Sequence, residues 1–158
     1  MSDGKDAQKR AKKSVVFVCT GNTCRSPMAE FMFKQYLKDK KLQGGYTVSS
    51  AGLYAVRGDT MNANAEKALD FLGVKYTAGR KAKTFTVQMS LDSDLVVGMT
   101  ARHAEECGEG DNITSFEELG APVPDPYGGS LQDYIDCAVR MRSMFDAVLA
   151  RLDGRSTV

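Results

Sequence analysis

The stretch Val15 to Glu30, VVFVCTGNTCRSPMAE, decides the fold of this chain. It opens with a continuous apolar run over residues 15–18 that is rich in β-branched side chains, which predicts a buried strand. Gly21-Asn22 follows, and these two residue types adopt left-handed backbone at the lowest cost. Ser26-Pro27 then predicts a helix start, with serine as the cap and proline at the first helical position. A strand, a tight loop and a helix N-terminus are therefore expected in immediate succession.

The predicted loop carries a thiol and a guanidinium at its two ends. Cys19 closes the strand, and Arg25 lies six positions later. Backbone N–H groups and the positive end of a helix dipole converge on such a loop, which favours an anion. A helix N-terminus and a nearby cation also activate a thiol, and arginine offers the planar fork that suits a phosphoryl group. Taken singly, the cysteine could be a buried apolar side chain and the arginine a solvated one. Their co-occurrence predicts a phosphate cradle that contains a nucleophile.

The stretch Cys19 to Pro27, CTGNTCRSP, resembles the phosphate loop of the low-molecular-weight protein phosphatases. That family has a tyrosine-specific branch and an arginine-specific branch. The resemblance continues through Met28 to Glu30, Ser50 to Gly52 and Pro124 to Gly129, so it spans nearly everything from Ser14 to about Leu152. It implies a cysteine-dependent protein phosphatase that needs no metal and no cofactor. The implied partners are phosphorylated protein substrates, with inorganic phosphate or another oxyanion held in the loop.

The resemblance also implies a role for each residue of the site. Cys19 is the expected nucleophile that forms a phosphocysteine, and Arg25 with the loop N–H groups is expected to hold the phosphoryl oxygens. Ser26 matches the serine that stabilises the thiolate, and Asn22 matches the asparagine that keeps the strained loop in shape. Asp125 falls where the family keeps its general acid, although alone it would read as a turn residue before proline. The predicted set comprises catalytic Cys19, Arg25 and Asp125, supported by Thr20, Gly21, Asn22, Thr23, Cys24 and Ser26.

Three positions bear on the choice between the two branches. Thr23 stands where tyrosine-specific members usually carry isoleucine or leucine and arginine-specific members carry threonine. Met99-Thr100 also resembles the arginine branch, and Tyr127-Gly128 replaces the aromatic pair that commonly walls a phosphotyrosine slot. These positions favour phosphoarginine, with phosphotyrosine as the alternative. Tyr127 and Tyr54 are expected to line the substrate pocket, unless they are half-buried loop aromatics.

Apolar segments and helical patterns alternate along the rest of the chain. Strands are predicted at residues 15–18, 46–49, 94–99 and 113–116, and helices at 27–38, 64–72, 87–91 and 100–107, with a long helical stripe from residue 131. This alternation predicts an α/β fold: a single domain with a four-stranded parallel sheet and helices on both faces. Ligands of such sheets bind beyond the carboxyl ends of the strands, which is where Cys19 is expected.

Length and charge bound the organisation of the chain. The 158 residues suit one domain, predicted at 14–153 with a flexible C-terminus at 154–158. The formal net charge is +1, but basic residues concentrate in residues 1–13, which predicts a disordered leader. That leader has no apolar core of a signal peptide, and no later stretch is apolar enough to span a bilayer. We therefore expect a cytoplasmic protein with no nucleic-acid or membrane partner; the sequence leaves the oligomeric state open.

The four cysteines show no spacing typical of a disulfide framework, and the chain has a single histidine. No C-x-x-C pair is present, so no metal site is expected. His103 is predicted to be exposed on a helix, without a role. Cys24 is either a small loop side chain or the partner of Cys19 in a transient protective disulfide. A thiol-dependent arsenate reductase remains a further alternative, but that class relies on a closely spaced cysteine pair after the third strand, where only Cys107 occurs.

Overall fold

A four-stranded, all-parallel sheet forms the centre of the computed structural model, which describes residues 12–154. The strand order is β2-β1-β3-β4, with bounds β1 (Lys13–Cys19), β2 (Tyr46–Gly52), β3 (Leu95–Gly98) and β4 (Ile113–Ser115). The first two strands pair along their whole length, so that Cys19 lies beside Gly52 at their carboxyl ends. The predicted α/β fold with a four-stranded parallel sheet is confirmed.

Helices follow each strand and cover the sheet. Their bounds are α1 (Arg25–Asp39), α2 (Ala63–Phe71), α3 (Val87–Asp92), α4 (Ala101–Cys107), α5 (Phe116–Leu119), α6 (Leu131–Arg142) and α7 (Phe145–Leu152), with a 3₁₀ turn at Gln43–Gly45. In residues 12–154, none of these helices combines the length and the apolar character needed to cross a bilayer.

Alternate side chains of β1 enter two separate apolar clusters, one on each face of the sheet. Phe17 belongs to the larger cluster, where its ring lies 5.6 Å from that of Phe33 and 5.9 Å from that of Phe116. Val16 and Val18 point to the other face and join the smaller cluster. This alternation is the pleat of a strand buried on both faces. Cys19 therefore ends a rigid central strand.

Several boundaries differ from the sequence expectations. The first helix begins at Arg25 instead of Pro27, and β1 begins at Lys13, inside the expected leader. Residues 1–11 of that leader, and 155–158 of the expected flexible C-terminus, lie outside the described residues. The stripe from residue 131 is divided into α6 and α7. The Ser143 hydroxyl donates to the Arg140 carbonyl where α6 ends. Buried side chains continue on both sides of this break, so apolar spacing alone did not reveal it.

Candidate active site

A small cavity of about 200 Å³ lies at the carboxyl edge of the sheet, between the loop after β1 and the segment before α6. Its lining combines most of the predicted loop with the predicted acid: Cys19, Thr20, Gly21, Thr23, Cys24, Arg25, Asp125 and Tyr127. A larger open groove of about 900 Å³ continues from Pro124 to Gly129 along α6 and includes neither Cys19 nor Arg25. The small cavity is the place where the predicted residues meet.

The sulfur of Cys19 is held by the loop that follows it. Its side chain is buried, with Sγ 2.8 Å from the Ser26 hydroxyl oxygen. The backbone N–H of Asn22 donates to the same sulfur over 3.3 Å. A hydroxyl and an amide are both donors to a thiolate. The expectation that Ser26 caps the helix is wrong: the cap position is Cys24, which makes no side-chain capping bond, because the Ser26 hydroxyl is occupied inside the loop.

Asn22 fixes the shape of the loop from within. It adopts the left-handed conformation expected for it, with φ at 57°, and its side chain is fully buried. Its amide group donates to the hydroxyls of Ser26 over 2.8 Å and Ser50 over 3.0 Å. Its side-chain oxygen accepts from the backbone N–H of Lys83 over 2.9 Å. Each of these bonds offsets part of the cost of left-handed backbone at a non-glycine residue.

Gly52 lets the neighbouring strand approach the loop closely. A Cβ atom at this position would lie 2.7 Å from the carbonyl oxygen of Thr20 and 2.8 Å from the backbone nitrogen of Asn22. Real Cβ atoms do not approach backbone so closely, and both neighbours are main-chain atoms that cannot rotate away. Glycine is therefore required here by contact, not by its dihedral angles.

Unpaired backbone donors surround the cavity. Within residues 12–154, the N–H groups of Gly21, Thr23 and Cys24 donate to no protein acceptor. They precede the first turn of α1, where the helix dipole adds positive potential. The arrangement can bind a tetrahedral oxyanion through main-chain amides.

Arg25 and Asp125 face each other across the cavity. The guanidinium is buried, and its Nη1 donates to the Val123 carbonyl over 2.9 Å, while Nη2 lies 3.8 Å from a carboxylate oxygen of Asp125. The Asp125 side chain is about half exposed, and its other oxygen accepts from the backbone N–H of Tyr127 over 3.1 Å. The cation is thus fixed in the wall, and the carboxylate stands at the open side, where proton exchange with solvent is possible.

Three of the remaining predicted residues line the cavity, and one lies outside it. Thr23 lines the cavity with its hydroxyl oxygen 3.8 Å from the Cys24 sulfur, which is also 3.8 Å from the Tyr134 hydroxyl oxygen. Burial raises the pKa of the Cys24 thiol. Tyr127 lines the cavity, whereas Tyr54 does not; it is exposed, and its hydroxyl donates to Glu106 over 2.7 Å.

Comparison with known proteins agrees with this geometry. The sequence profile described as "Low molecular weight phosphotyrosine protein phosphatase" matches residues 14–157. The chain belongs to the low molecular weight protein phosphatase family. The family resemblance of the loop is thereby confirmed, and membership of this family identifies the chain as a protein phosphatase.

Relatives from both substrate branches match this phosphatase. A low molecular weight protein-tyrosine-phosphatase of Staphylococcus haemolyticus is 34% identical over 76% of the chain and 86% of its own length. A protein-arginine-phosphatase of Bacillus subtilis is 33% identical over 76% of the chain and 83% of its own length. An arsenate reductase of Bacillus cereus is 36% identical, but over only 61% of the chain and 65% of its own length.

A solved structure of an arginine phosphatase superposes on this one. It is a cysteine-to-serine mutant of the arginine phosphatase YwlE with a phosphorylated active-site serine, and the TM-score is 0.79 at 28% identity. The match covers 89% of this chain and 95% of that one. Among residues 12–154 of the phosphatase described here, no group of three His, Cys, Asp or Glu side chains is placed to hold a metal ion.

Sequence reasoning missed a buried ion pair that supports the phosphatase loop. Arg80 donates to the Ser50 hydroxyl over 2.7 Å and lies 3.2 Å from Glu30, and both charged side chains are more than nine-tenths buried. The Ser50 hydroxyl in turn donates to the Glu30 carboxylate over 2.6 Å. The sequence around Arg80 does not indicate this pair, because Ser50 lies 30 positions away.

The expectation for His103 is wrong. It is 9% exposed instead of solvent-facing, and its ring lies between two threonine hydroxyls, 3.0 Å from Thr20 and 2.9 Å from Thr100. Burial, and then the positive charge of Arg25, lower the pKa of His103. A histidine on a short helix carries no sequence signal for such contacts, because Thr20 is 83 positions away.

Proposed function

We propose that this phosphatase hydrolyses phosphorylated protein side chains through a phosphocysteine intermediate and prefers phosphoarginine. One observation carries the proposal: Cys19, Arg25 and Asp125 border the same cavity, together with unpaired main-chain amides. A nucleophile, a fixed cation and an accessible carboxyl group are the parts that metal-independent phosphoryl transfer uses.

In the first step, the Cys19 thiolate attacks phosphorus and forms the S–P bond. The bond from phosphorus to the leaving nitrogen of phosphoarginine breaks, and the protonated Asp125 gives its proton to that nitrogen. Arg25 and the loop N–H groups hold the three equatorial oxygens and balance the charge that spreads over them. The leaving arginine side chain then departs through the open side of the cavity.

In the second step, water attacks the phosphorus of the phosphocysteine. Asp125, now a carboxylate, accepts a proton from that water, the S–P bond breaks, and orthophosphate leaves with the thiolate restored. The Ser26 hydroxyl and the Asn22 N–H are in place to receive the charge that returns to sulfur. The phosphorylated active-site serine of the similar arginine phosphatase mutant supports a covalent route at this position.

The polar wall at Thr23 supports phosphoarginine as the substrate. The Thr23 side chain lines the cavity beside Cys24 and is small and polar. A larger apolar side chain at this position would narrow the cavity. Tyr127 is 75% exposed and is followed by Gly128, so this side of the cavity offers one exposed aromatic ring instead of a pair of aromatic walls. A flexible guanidinium stem gains less from a slot than a planar phenyl ring does.

The direct test measures phosphate release from matched peptides that carry either phosphoarginine or phosphotyrosine. We expect a higher kcat/KM on phosphoarginine, and a shift toward phosphotyrosine in Thr23→Ile. Thr77→Ile is the matched control, because Thr77 is exposed and lies outside the cavity. A preference for phosphotyrosine in the unmodified chain would overturn the substrate assignment but not the phosphatase mechanism.

Arsenate reduction is less well supported as an activity. Such chemistry needs further thiols beyond the loop that relay a disulfide, yet Cys107, the cysteine that follows β3, joins the cluster on the opposite face of the sheet from Cys19. Burial also raises the pKa of Cys107 to about 12 and that of Cys137 to about 12. Thiols that stay protonated are poor relays. Thioredoxin-coupled reduction of arsenate by this chain would reverse the ranking.

We further propose that the phosphatase acts in the cytoplasm on phosphorylated proteins. The cysteines at 19, 24, 107 and 137 are all free thiols, which suits a reducing compartment. Fractionation of cells that produce the tagged chain, followed by detection in the cytosolic fraction, tests this location.

A further inference from the structure

The imidazole of His103 joins two elements that meet at the phosphatase cavity. Nε2 lies 3.0 Å from the hydroxyl oxygen of Thr20, the residue that follows the nucleophile. Nδ1 lies 2.9 Å from the hydroxyl oxygen of Thr100, which caps α4. Both ring nitrogens are therefore occupied, and the mechanism above assigns no role to His103.

The Thr100 end of this bridge is firmly held. The Thr100 hydroxyl accepts from the backbone N–H of His103 over 3.3 Å, which completes the cap of α4. Gly98, at the end of β3, brings the helix against the sheet: a Cβ there would lie 2.7 Å from the backbone nitrogen of Ala104. The helix is thus seated on β3, so the ring has a rigid base.

The Thr20 end lies on the cavity itself. Thr20 is exposed and lines the cavity, and its carbonyl oxygen accepts from the backbone N–H of Tyr54 over 2.9 Å. His103 holds the side chain of the same residue. Without the hydrogen bond to His103, the Thr20 side chain loses its second attachment, and the first residue of the loop is less firmly held. The loop N–H groups must converge on one anion, so small displacements of these donors weaken anion binding.

The charge state of the ring suits a bridge between two hydroxyls. Burial and Arg25 lower the pKa of His103, so the ring is neutral at pH 7 and carries one donor and one acceptor. The charged groups around it are Arg25 and Asp125 from the cavity, and Arg102 and Glu106 from its own helix. A neutral ring donates at one hydroxyl and accepts at the other.

We propose that His103 is a positioning residue that holds Thr20, and with it the first part of the phosphate loop, in the conformation that binds a phosphoryl group. The inference rests on the proposed function, since it concerns the same cavity. His103 acts through Thr20 and does not itself line the cavity.

Two amide variants distinguish the His103 hydrogen bond to Thr20 from the hydrogen bond to Thr100. In His103→Asn, the amide reaches the Thr100 hydroxyl but stops short of Thr20, whereas in His103→Gln it extends to Thr20. Binding of inorganic phosphate to the full chain is measured by calorimetry. We expect His103→Asn to weaken phosphate binding by about fivefold and His103→Gln by less than about twofold, as one lost or kept hydrogen bond predicts. Urea unfolding of both variants checks that they are folded.

A double-mutant cycle distinguishes action through Thr20 from a general structural role. Thr20→Val removes the hydroxyl and keeps the shape of the side chain. If His103 acts through Thr20, then His103→Asn has little further effect on phosphate affinity in the Thr20→Val background. The single histidine also gives one imidazole signal in a chain without a histidine tag, so NMR reports whether Thr20→Val changes its tautomer or its titration midpoint.

The outcomes are distinguishable. An unmodified chain that neither binds phosphate nor hydrolyses phosphopeptides overturns the proposed function, and this inference with it. An active unmodified chain overturns the inference alone if His103→Asn binds phosphate as tightly as the unmodified chain does. Additive losses of phosphate affinity in the cycle, or an imidazole signal that Thr20→Val does not change, also overturn the inference. Neither result affects the proposed phosphatase function.

Discussion

The guanidinium of Arg80 donates a 2.7 Å hydrogen bond to the hydroxyl of Ser50, and through it reaches the strained backbone of the phosphate loop. Arg80 also donates to the Ser50 carbonyl over 3.3 Å and pairs with Glu30 at 3.2 Å. Asn22 therefore donates to the Ser50 hydroxyl, which is itself held by the buried Arg80–Glu30 ion pair. A charge pair so fully buried persists only when both partners and their remaining hydrogen bonds are in place.

We predict that Arg80→Met lowers the free energy of unfolding by about 3 kcal/mol, because it removes the buried cation beside the Glu30 carboxylate and leaves that charge with only the half-exposed Lys34 ammonium. Urea unfolding measures the loss. Lys34→Met is the matched control: Lys34 pairs with the same carboxylate over 2.9 Å, but its side chain is 48% exposed, so about 1 kcal/mol or less is expected. Equal losses in the two variants would contradict the structural role given to Arg80.

Gly52→Ala is predicted to damage activity through the loop. The added methyl would meet the Thr20 carbonyl at 2.7 Å, so the loop or the strand must shift. A displacement on the order of 1 Å at a reacting centre can lower kcat/KM about a hundredfold. Gly45→Ala serves as the control, because nothing lies within 4 Å of a Cβ at that position. An active Gly52→Ala enzyme would show that the close approach is not required.

Asp125→Asn tests the general acid. Since the amide cannot donate a proton to the leaving group, we expect kcat on phosphopeptides to fall by about a hundredfold to ten-thousandfold. The loss on p-nitrophenyl phosphate should be smaller, because its leaving group departs without a proton. Asp136→Asn, an exposed position on α6 outside the cavity, is expected to retain activity. Equal losses on the two kinds of substrate would remove the proton-transfer role.

The lowered pKa of His103 predicts an acid-dependent loss of stability. In the unfolded chain, His103 has its ordinary pKa near 6.5. In the folded chain, burial and the charge of Arg25 lower the pKa of His103, so the ring takes up its proton only at lower pH. The free energy of unfolding should therefore fall as the pH decreases below about 6.5, until the folded-state pKa is passed. Urea unfolding at several pH values, compared with His103→Gln, measures this contribution. The same pH dependence in both proteins would refute it.

The sequence was sufficient for those parts of the site that lie close together along the chain. From Cys19 to Arg25, a strand end, a left-handed residue and a helix follow one another, and local patterns predict this order, although the helix begins at Arg25 instead of Pro27. The parallel sheet also followed from the alternation of apolar runs and helical patterns, and the structure confirms it.

The sequence was insufficient where the determining contact is distant. Arg80 lies 30 positions from Ser50, and His103 lies 83 positions from Thr20. Neither has a neighbour in sequence that indicates burial. Ser26 shows a different kind of error: serine before proline is a good cap, but its hydroxyl is taken by the tertiary contact with Cys19. Local preference yielded to a partner that only the folded loop provides.

The most direct test of the central claim is to trap the phosphoenzyme. The full chain is mixed with a phosphoarginine peptide, quenched in acid within the first turnover, and mapped by mass spectrometry. The account predicts one phosphoryl group on Cys19, bonded through sulfur, and none on any residue of the Cys19→Ala chain. An Asp125→Asn chain that releases p-nitrophenol from p-nitrophenyl phosphate without accumulating phosphocysteine, or an active chain that carries the phosphoryl group on another residue, would contradict it.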